Sequence, residues 1–124
     1  MKKEISVLVV DDSETNLVLL EAILEDEGYN VKTAFSVKEA TELLKDYLPN
    51  LILLDLLMPN ENGFDLLKKL KVNGQYKNIP VIIVTAFANK ENSAIAFDLG
   101  AIDIIEKPID IPCFLEKVNK ALIN

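Results

Sequence analysis

The chain has 124 residues, half of them apolar and about a quarter charged, which suits one domain around one core. It carries a net charge of −7, with 13 lysines and neither arginine nor histidine. Without histidine it lacks the usual general base, the usual zinc ligand and a serine-type triad, and so acidic a chain is a poor match for nucleic-acid phosphates.

The opening MKKEISVLVVDD has an apolar stretch of only six residues that contains Ser6 and ends in two acids. That reads as a buried strand over 5–10 rather than an export signal, and no run of eighteen apolar residues follows to span a membrane. The cytoplasm is the expected location. Leu17, Leu20 and Leu24 recur at helical spacing over 14–27, and Gly28 can end that helix. Residues 31–34 make a weaker strand. Ser36 and Glu39 form a capping box for a helix over 37–46.

LILL (51–54) is the third strand, and Asn62 can cap a helix over 63–71. Gly74 and Pro80 mark a loop, and VIIV (81–84) is the fourth strand. Asn89 can cap a helix that runs to Leu99 and stops at Gly100. Residues 102–105 are the fifth strand, and Asp110 and Pro112 open a last helix that runs to about Ile123. Cys113 falls in this helix and, being alone, offers no disulfide; a small core or surface thiol is expected. Strict alternation of strand and helix predicts a parallel sheet covered on both faces, with ligands at the carboxyl ends of the strands.

The polar residues gather at those ends. Asp11 and Asp12 follow the first strand and Asp55 the third. Thr85 and Ala86 follow the fourth, and Glu106, Lys107 and Pro108 the fifth. In a sheet ordered 2-1-3-4-5 the first, third and fourth strands are central neighbours, so three carboxylates, a hydroxyl and an ammonium converge. Each has a plain alternative: Asp12 or Ser13 as a helix cap, Thr85 as an ordinary strand end, Lys107 as a solvated loop lysine. The joint placement outweighs them. Asp55 in particular interrupts LILLDLLM, where seven neighbours are apolar and a lone charge is costly. Three carboxylates and one lysine leave −2, which one divalent cation cancels, and an all-oxygen donor set favours a hard ion such as Mg²⁺. The acid is also uneven: residues 1–62 hold 13 acids and 5 lysines, residues 63–124 hold 7 and 8.

VLVVDDS (7–13), LILLDLLMPNENG (51–63), VIIVTA (81–86) and GAIDIIEKPI (100–109), in that order, resemble the receiver domain of bacterial two-component response regulators. The resemblance covers essentially residues 1–124 as a single domain. It implies a flavodoxin-like (βα)5 three-layer sandwich with sheet order 2-1-3-4-5. It also implies a phosphoacceptor that takes a phosphoryl group from a histidine kinase or phosphotransfer protein and is not a turnover enzyme. Asp55 matches the acceptor, Asp12 a direct Mg²⁺ ligand, and Asp11 an acid that reaches the metal through water. Asp55 itself and the backbone carbonyl of Leu57 complete the metal set. Thr85 matches the hydroxyl that bonds the phosphoryl group, and Ala86 offers a backbone N–H beside it. Lys107 matches the lysine that pairs with the phosphoryl group, and Pro108 the proline after it, often preceded by a cis bond. Gly63 is expected to relieve the backbone after Met58 and Pro59.

Three positions depart from the family's pattern. Ile104 stands where an aromatic residue commonly changes rotamer on activation. Leu57 and Phe87, two residues beyond Asp55 and Thr85, are apolar, from which slow autodephosphorylation is expected. Two other readings fit the fold. A flavodoxin-like flavin binder would want a Gly/Ser/Thr-rich phosphate loop where this chain has two acids. A receiver-like interaction module without phosphate would have lost an acid, Thr85 or Lys107, and none is missing. The sequence leaves the downstream partner open. Family analogy puts partner or homodimer contacts on the fourth helix, fifth strand and fifth helix. No effector segment is legible, so a stand-alone regulator and a receiver cut from a longer protein are both open.

Overall fold

Short unbroken apolar runs decide the architecture. In the computed structural model, which describes residues 5–58 and 61–123 except the side chains of Leu57 and Glu61, twelve elements follow in chain order. They are β1 (Ser6–Val10), α1 (Glu14–Asp26), β2 (Asn30–Ala34), α2 (Val37–Leu44), β3 (Leu51–Leu54), β4 (Leu57–Met58), β5 (Glu61–Asn62), α3 (Gly63–Val72), β6 (Val81–Thr85), α4 (Lys90–Asp98), β7 (Asp103–Glu106) and α5 (Ile111–Ile123). Five strands form one parallel sheet in the order β2-β1-β3-β6-β7, the predicted 2-1-3-4-5 when this sheet is counted alone. The two-residue strands β4 and β5 pair antiparallel with each other. So short a ladder leaves no periodic signal, and the sequence did not announce it.

Alternate residues of the central strands feed two cores. Val7, Val9, Leu51, Leu53, Ile82 and Val84 pack with Leu20 and Leu24 of α1 and with Phe114 and Val118 of α5. Leu8, Val10, Ile52, Leu54, Val81 and Ile83 pack with Leu44 of α2, Leu67 and Leu70 of α3, and Ala96 of α4. β1, β3 and β6 are buried on both faces, which is why they read as unbroken apolar runs. β2 is an edge strand with only Ala34 fully buried, hence its weaker pattern.

The helix starts follow their capping chemistry. Ser13 accepts from the Asn16 N–H at 3.3 Å, so Ser13 rather than Asp12 caps α1. Ser36 accepts from the Glu39 N–H at 3.0 Å, while Glu39 reaches back one residue further than a strict box, to the Phe35 N–H at 2.9 Å. Asn62, Asn89 and Asp110 accept at the starts of α3, α4 and α5. The fifth strand lies one residue later than expected, and Thr85 closes β6 instead of following it. Cys113 is exposed.

Register sets the rim. Val10 pairs with Leu54 and Leu54 with Ile83, so Asp11 and Asp55 leave the sheet side by side. Thr85 pairs with Glu106, which puts Lys107 beside the same end. Phe114 is wholly buried and ties α5 to β1, β3 and β6. Phe114→Ala is expected to cost about 3–5 kcal/mol by leaving a cavity, read as a lower midpoint in urea at unchanged slope.

Candidate functional site

The DDS turn after β1 splits three neighbours into three tasks. The Asp11 N–H donates to the Ala34 carbonyl at 3.1 Å, which continues the β1–β2 pairing one step past the strand. Its side chain is buried: one oxygen accepts from the Ser13 N–H at 2.9 Å, the other from Lys107 Nζ at 2.7 Å. Asp12 is exposed, and Ser13 caps α1. The Ser13 N–H that fixes Asp11 was not foreseen. An acid accepting from the N–H two residues on is an ordinary Asx turn, and the Asp-x-Ser spelling was the available signal.

Asp55 is 5% exposed, and its N–H donates to the Val10 carbonyl at 3.0 Å, which holds it next to Asp11. Its Oδ2 accepts from Lys107 Nζ at 3.2 Å. Lys107 comes from the far edge of the sheet, positioned by its N–H on the Thr85 carbonyl at 2.9 Å and followed by a cis bond to Pro108. One ammonium therefore bridges two buried carboxylates. Burial pushes the Lys107 ammonium down, but its hydrogen bond to Asp11 and the charges of Asp11 and Asp55 outweigh it and hold the group above the usual lysine range. The lysine was expected to pair with an incoming phosphoryl group; here it bonds both acids, and its shorter bond is to Asp11.

Asp11, Asp12 and Asp55 each offer an oxygen, and these three atoms lie within 4.8 Å of one another. Three carboxylates against one lysine leave an excess of −2, so the cluster can accept a divalent cation, and its donors are all oxygen. Leu57 carries the backbone into β4, directly beyond the cluster. Thr85 is fully buried and its Oγ1 accepts from the Phe87 N–H at 3.2 Å, a bond sequence reasoning did not foresee. Ala86 next to it is exposed. The structure thus brings Asp11, Asp12, Asp55 and Lys107 together by direct distance, and Thr85 by its place beside Lys107. Pro59 lies outside the described residues.

Comparison with known proteins agrees with this geometry. Residues 7–119 match the response regulator receiver domain family. The chain is 37% identical over 117 residues to the polar-differentiation response regulator DivK of Brucella abortus (strain 2308), covering 94% of this chain and 95% of that one. It is also 37% identical over 119 residues to a probable cyclic di-GMP phosphodiesterase of Vibrio cholerae, but spans only 27% of that protein, so the activity in that name is not carried over. Among solved structures, a CheY-like receiver domain protein of Methanospirillum hungatei superposes with a TM-score of 0.89 at 33% identity, over 96% of this chain and 94% of that one. The chemotaxis protein CheY4 of Vibrio cholerae superposes with a TM-score of 0.90 at 29% identity, over 95% and 98%.

Gly63 serves the site by close approach. A Cβ there would meet the Asp55 carbonyl oxygen at 2.4 Å and the Leu56 Cα at 2.8 Å, both backbone atoms that cannot step aside. Its N–H donates to the Leu56 carbonyl at 2.8 Å, so α3 starts pressed against the chain that carries Asp55. Space, rather than relief of the backbone after Met58, is the reason for glycine. Gly63→Ala is expected to destabilise the fold by about 1–3 kcal/mol in urea unfolding, from overpacking against backbone.

Proposed function

The chain belongs to the response regulator receiver domain family, a phosphoacceptor signalling domain, and from that premise we propose Asp55 as the residue phosphorylated. The observation that carries the assignment is the Asp55–Lys107 contact at 3.2 Å beside two further acids at one strand end. Residues 1–124 act in this reading as one receiver domain in the cytoplasm, fed by a histidine kinase or phosphotransfer protein.

A carboxylate oxygen of Asp55 attacks phosphorus; the new P–O bond forms as the donor's P–N bond breaks, and the released imidazole takes a proton from solvent. Lys107 keeps its positive charge next to the phosphoryl oxygens, which no longer have to repel Asp11 and Asp55 unaided. The Thr85 hydroxyl donates to one phosphoryl oxygen while still accepting from the Phe87 N–H, since a hydroxyl does both. The Ala86 N–H is a second donor. The three clustered carboxylates fit Mg²⁺: Asp12 as a direct ligand, Asp11 through water, with Asp55 and the Leu57 carbonyl completing the set. When bound, that ion supplies positive charge for the phosphoryl oxygens.

Incubation with Mg²⁺ and a small acyl phosphate is expected to add one phosphoryl group in intact-mass spectra, with none added to Asp55→Asn. Phosphorylation of Asp55→Asn to the same extent would overturn the assignment. Removing Mg²⁺ with chelator is expected to slow labelling strongly. Neither Leu57 nor Phe87, which is half exposed, offers a hydrogen-bonding side chain to orient an attacking water. The Asp55 phosphate is therefore expected to decay slowly, and Leu57→Asn to speed decay by roughly tenfold, the worth of one water-orienting hydrogen bond. An unchanged half-life would remove that explanation. Ile95, Phe97 and Ile102 are exposed apolar side chains on or next to α4 and β7, which supports this face for the downstream partner or a second copy.

A further inference from the structure

Away from the acidic rim, α2 and α3 enclose an apolar groove of about 450 Å³. Its floor is Leu44, Leu66 and Leu70, each only 3% exposed, and Val72, 76% exposed, stands at its edge. The floor is preformed: the Tyr76 hydroxyl donates to the Leu44 carbonyl at 2.8 Å, tying the segment after α3 to the end of α2. Little ordering remains to be done when something settles there.

The charged side chains that line this floor have one sign. Lys45 and Lys69 line the groove and no acid does, on a chain whose net charge is −7. Residues 63–79 carry four lysines against the single Asp65. Lys45 also donates to Glu42 at 3.1 Å, but both side chains are well exposed, so that pair is weak and easily exchanged. Asn73 uses its side-chain oxygen for the Gln75 N–H at 2.8 Å, which leaves its amide N–H groups, like the lysines, as donors. An apolar trough between two helices, edged with donors and positive charge, matches an amphipathic helix whose apolar stripe is flanked by carboxylates.

We propose that the α2–α3 groove is a docking site for an acidic amphipathic helix of a partner protein, separate from the phosphoacceptor rim. It requires neither Asp55 nor the metal cluster, so it stands or falls independently of the phosphorylation chemistry.

The test uses the full chain and a synthetic helical peptide of about 14 residues, roughly four turns, with leucines at i, i+4, i+7 and i+11 and glutamates beside them. A second peptide has lysine for every glutamate. Amide shifts are followed by NMR and affinity by calorimetry. The glutamate peptide is expected to shift residues 41–45 and 66–76, and the lysine peptide to bind at least about tenfold more weakly. Lys69→Glu, an exposed change checked by its unfolding curve and by unchanged labelling with the acyl phosphate, is expected to invert that preference. Val72→Glu is expected to weaken the glutamate peptide. No binding, equal binding of both peptides, or shifts confined to α4, β7 and α5 would overturn the proposal. So would sedimentation with phosphatidylglycerol–phosphatidylcholine vesicles in the absence of peptide binding, which would assign the groove to a membrane surface.

Discussion

Lys107 is the contact on which the site's existence rests. Asp11 and Asp55 are both buried, and they lie within a few ångströms of each other and of Asp12. Carboxylates so placed repel, and each loses hydration it would have in water. One ammonium with hydrogen bonds to both, at 2.7 and 3.2 Å, turns a mutual repulsion into a triad with a single excess charge, to which Asp12 adds a second at the solvent edge. The remaining deficit is what gives the rim its appetite for positive charge. A fully neutralised cluster would have no reason to take a divalent ion, and a cluster without Lys107 would strain to keep two acids buried.

That contact depends on register more than on sequence proximity. Lys107 is 96 residues from Asp11 and 52 from Asp55, and it reaches them because β7 pairs with β6 so that Glu106 lies opposite Thr85. A slip of one residue would turn Lys107 to the other face of the sheet. Ile105 of β7, buried in the α1–α5 core, and Ile104, packed against the opposite core, guard against such a slip. The apolar strands that make Asp55 look misplaced hold it next to Asp11, where Lys107 reaches both. Gly63 does the same from the other side, letting α3 press on the Asp55 carbonyl where any side chain would intrude.

Much of this was legible from the chain. Alternation of apolar runs with helical spacing gave a parallel sheet covered on both faces, the resemblance to receiver domains gave its strand order, and Asp11, Asp12, Asp55, Thr85 and Lys107 all stand at one rim. What was not legible has a common cause. The preference of Lys107 for Asp11, the Ser13 and Phe87 N–H groups on Asp11 and Thr85, and the steric reason for Gly63 are matters of tenths of an ångström between backbone segments. Residue types specify which groups can meet; the distances among them come only from packing. The β4–β5 ladder failed for another reason, having too few residues to show any period.

Packing also bears on how occupation of the rim is felt elsewhere. Along β6, Val81 and Ile83 face the α2–α4 core, and period two carries Thr85 to that same side, where Ile104 of β7 also packs. Val9, Leu53 and Ile105, each two residues before Asp11, Asp55 and Lys107, face the α1–α5 core. Thr85 thus closes a strand row that faces the other layer. Ile104 is half-buried and aliphatic, branched at Cβ with a narrow choice of rotamers, so no ring can swing there between inward and outward positions. Next to Thr85 the chain continues into the segment before α4. Its Phe87 N–H is bonded to the Thr85 hydroxyl and its Phe87 ring is half exposed. The Thr85 hydroxyl is thereby joined to the backbone of the β6–α4 connection, which leads into α4 and its exposed Ile95 and Phe97, while Ile104 packs against the α2–α4 core.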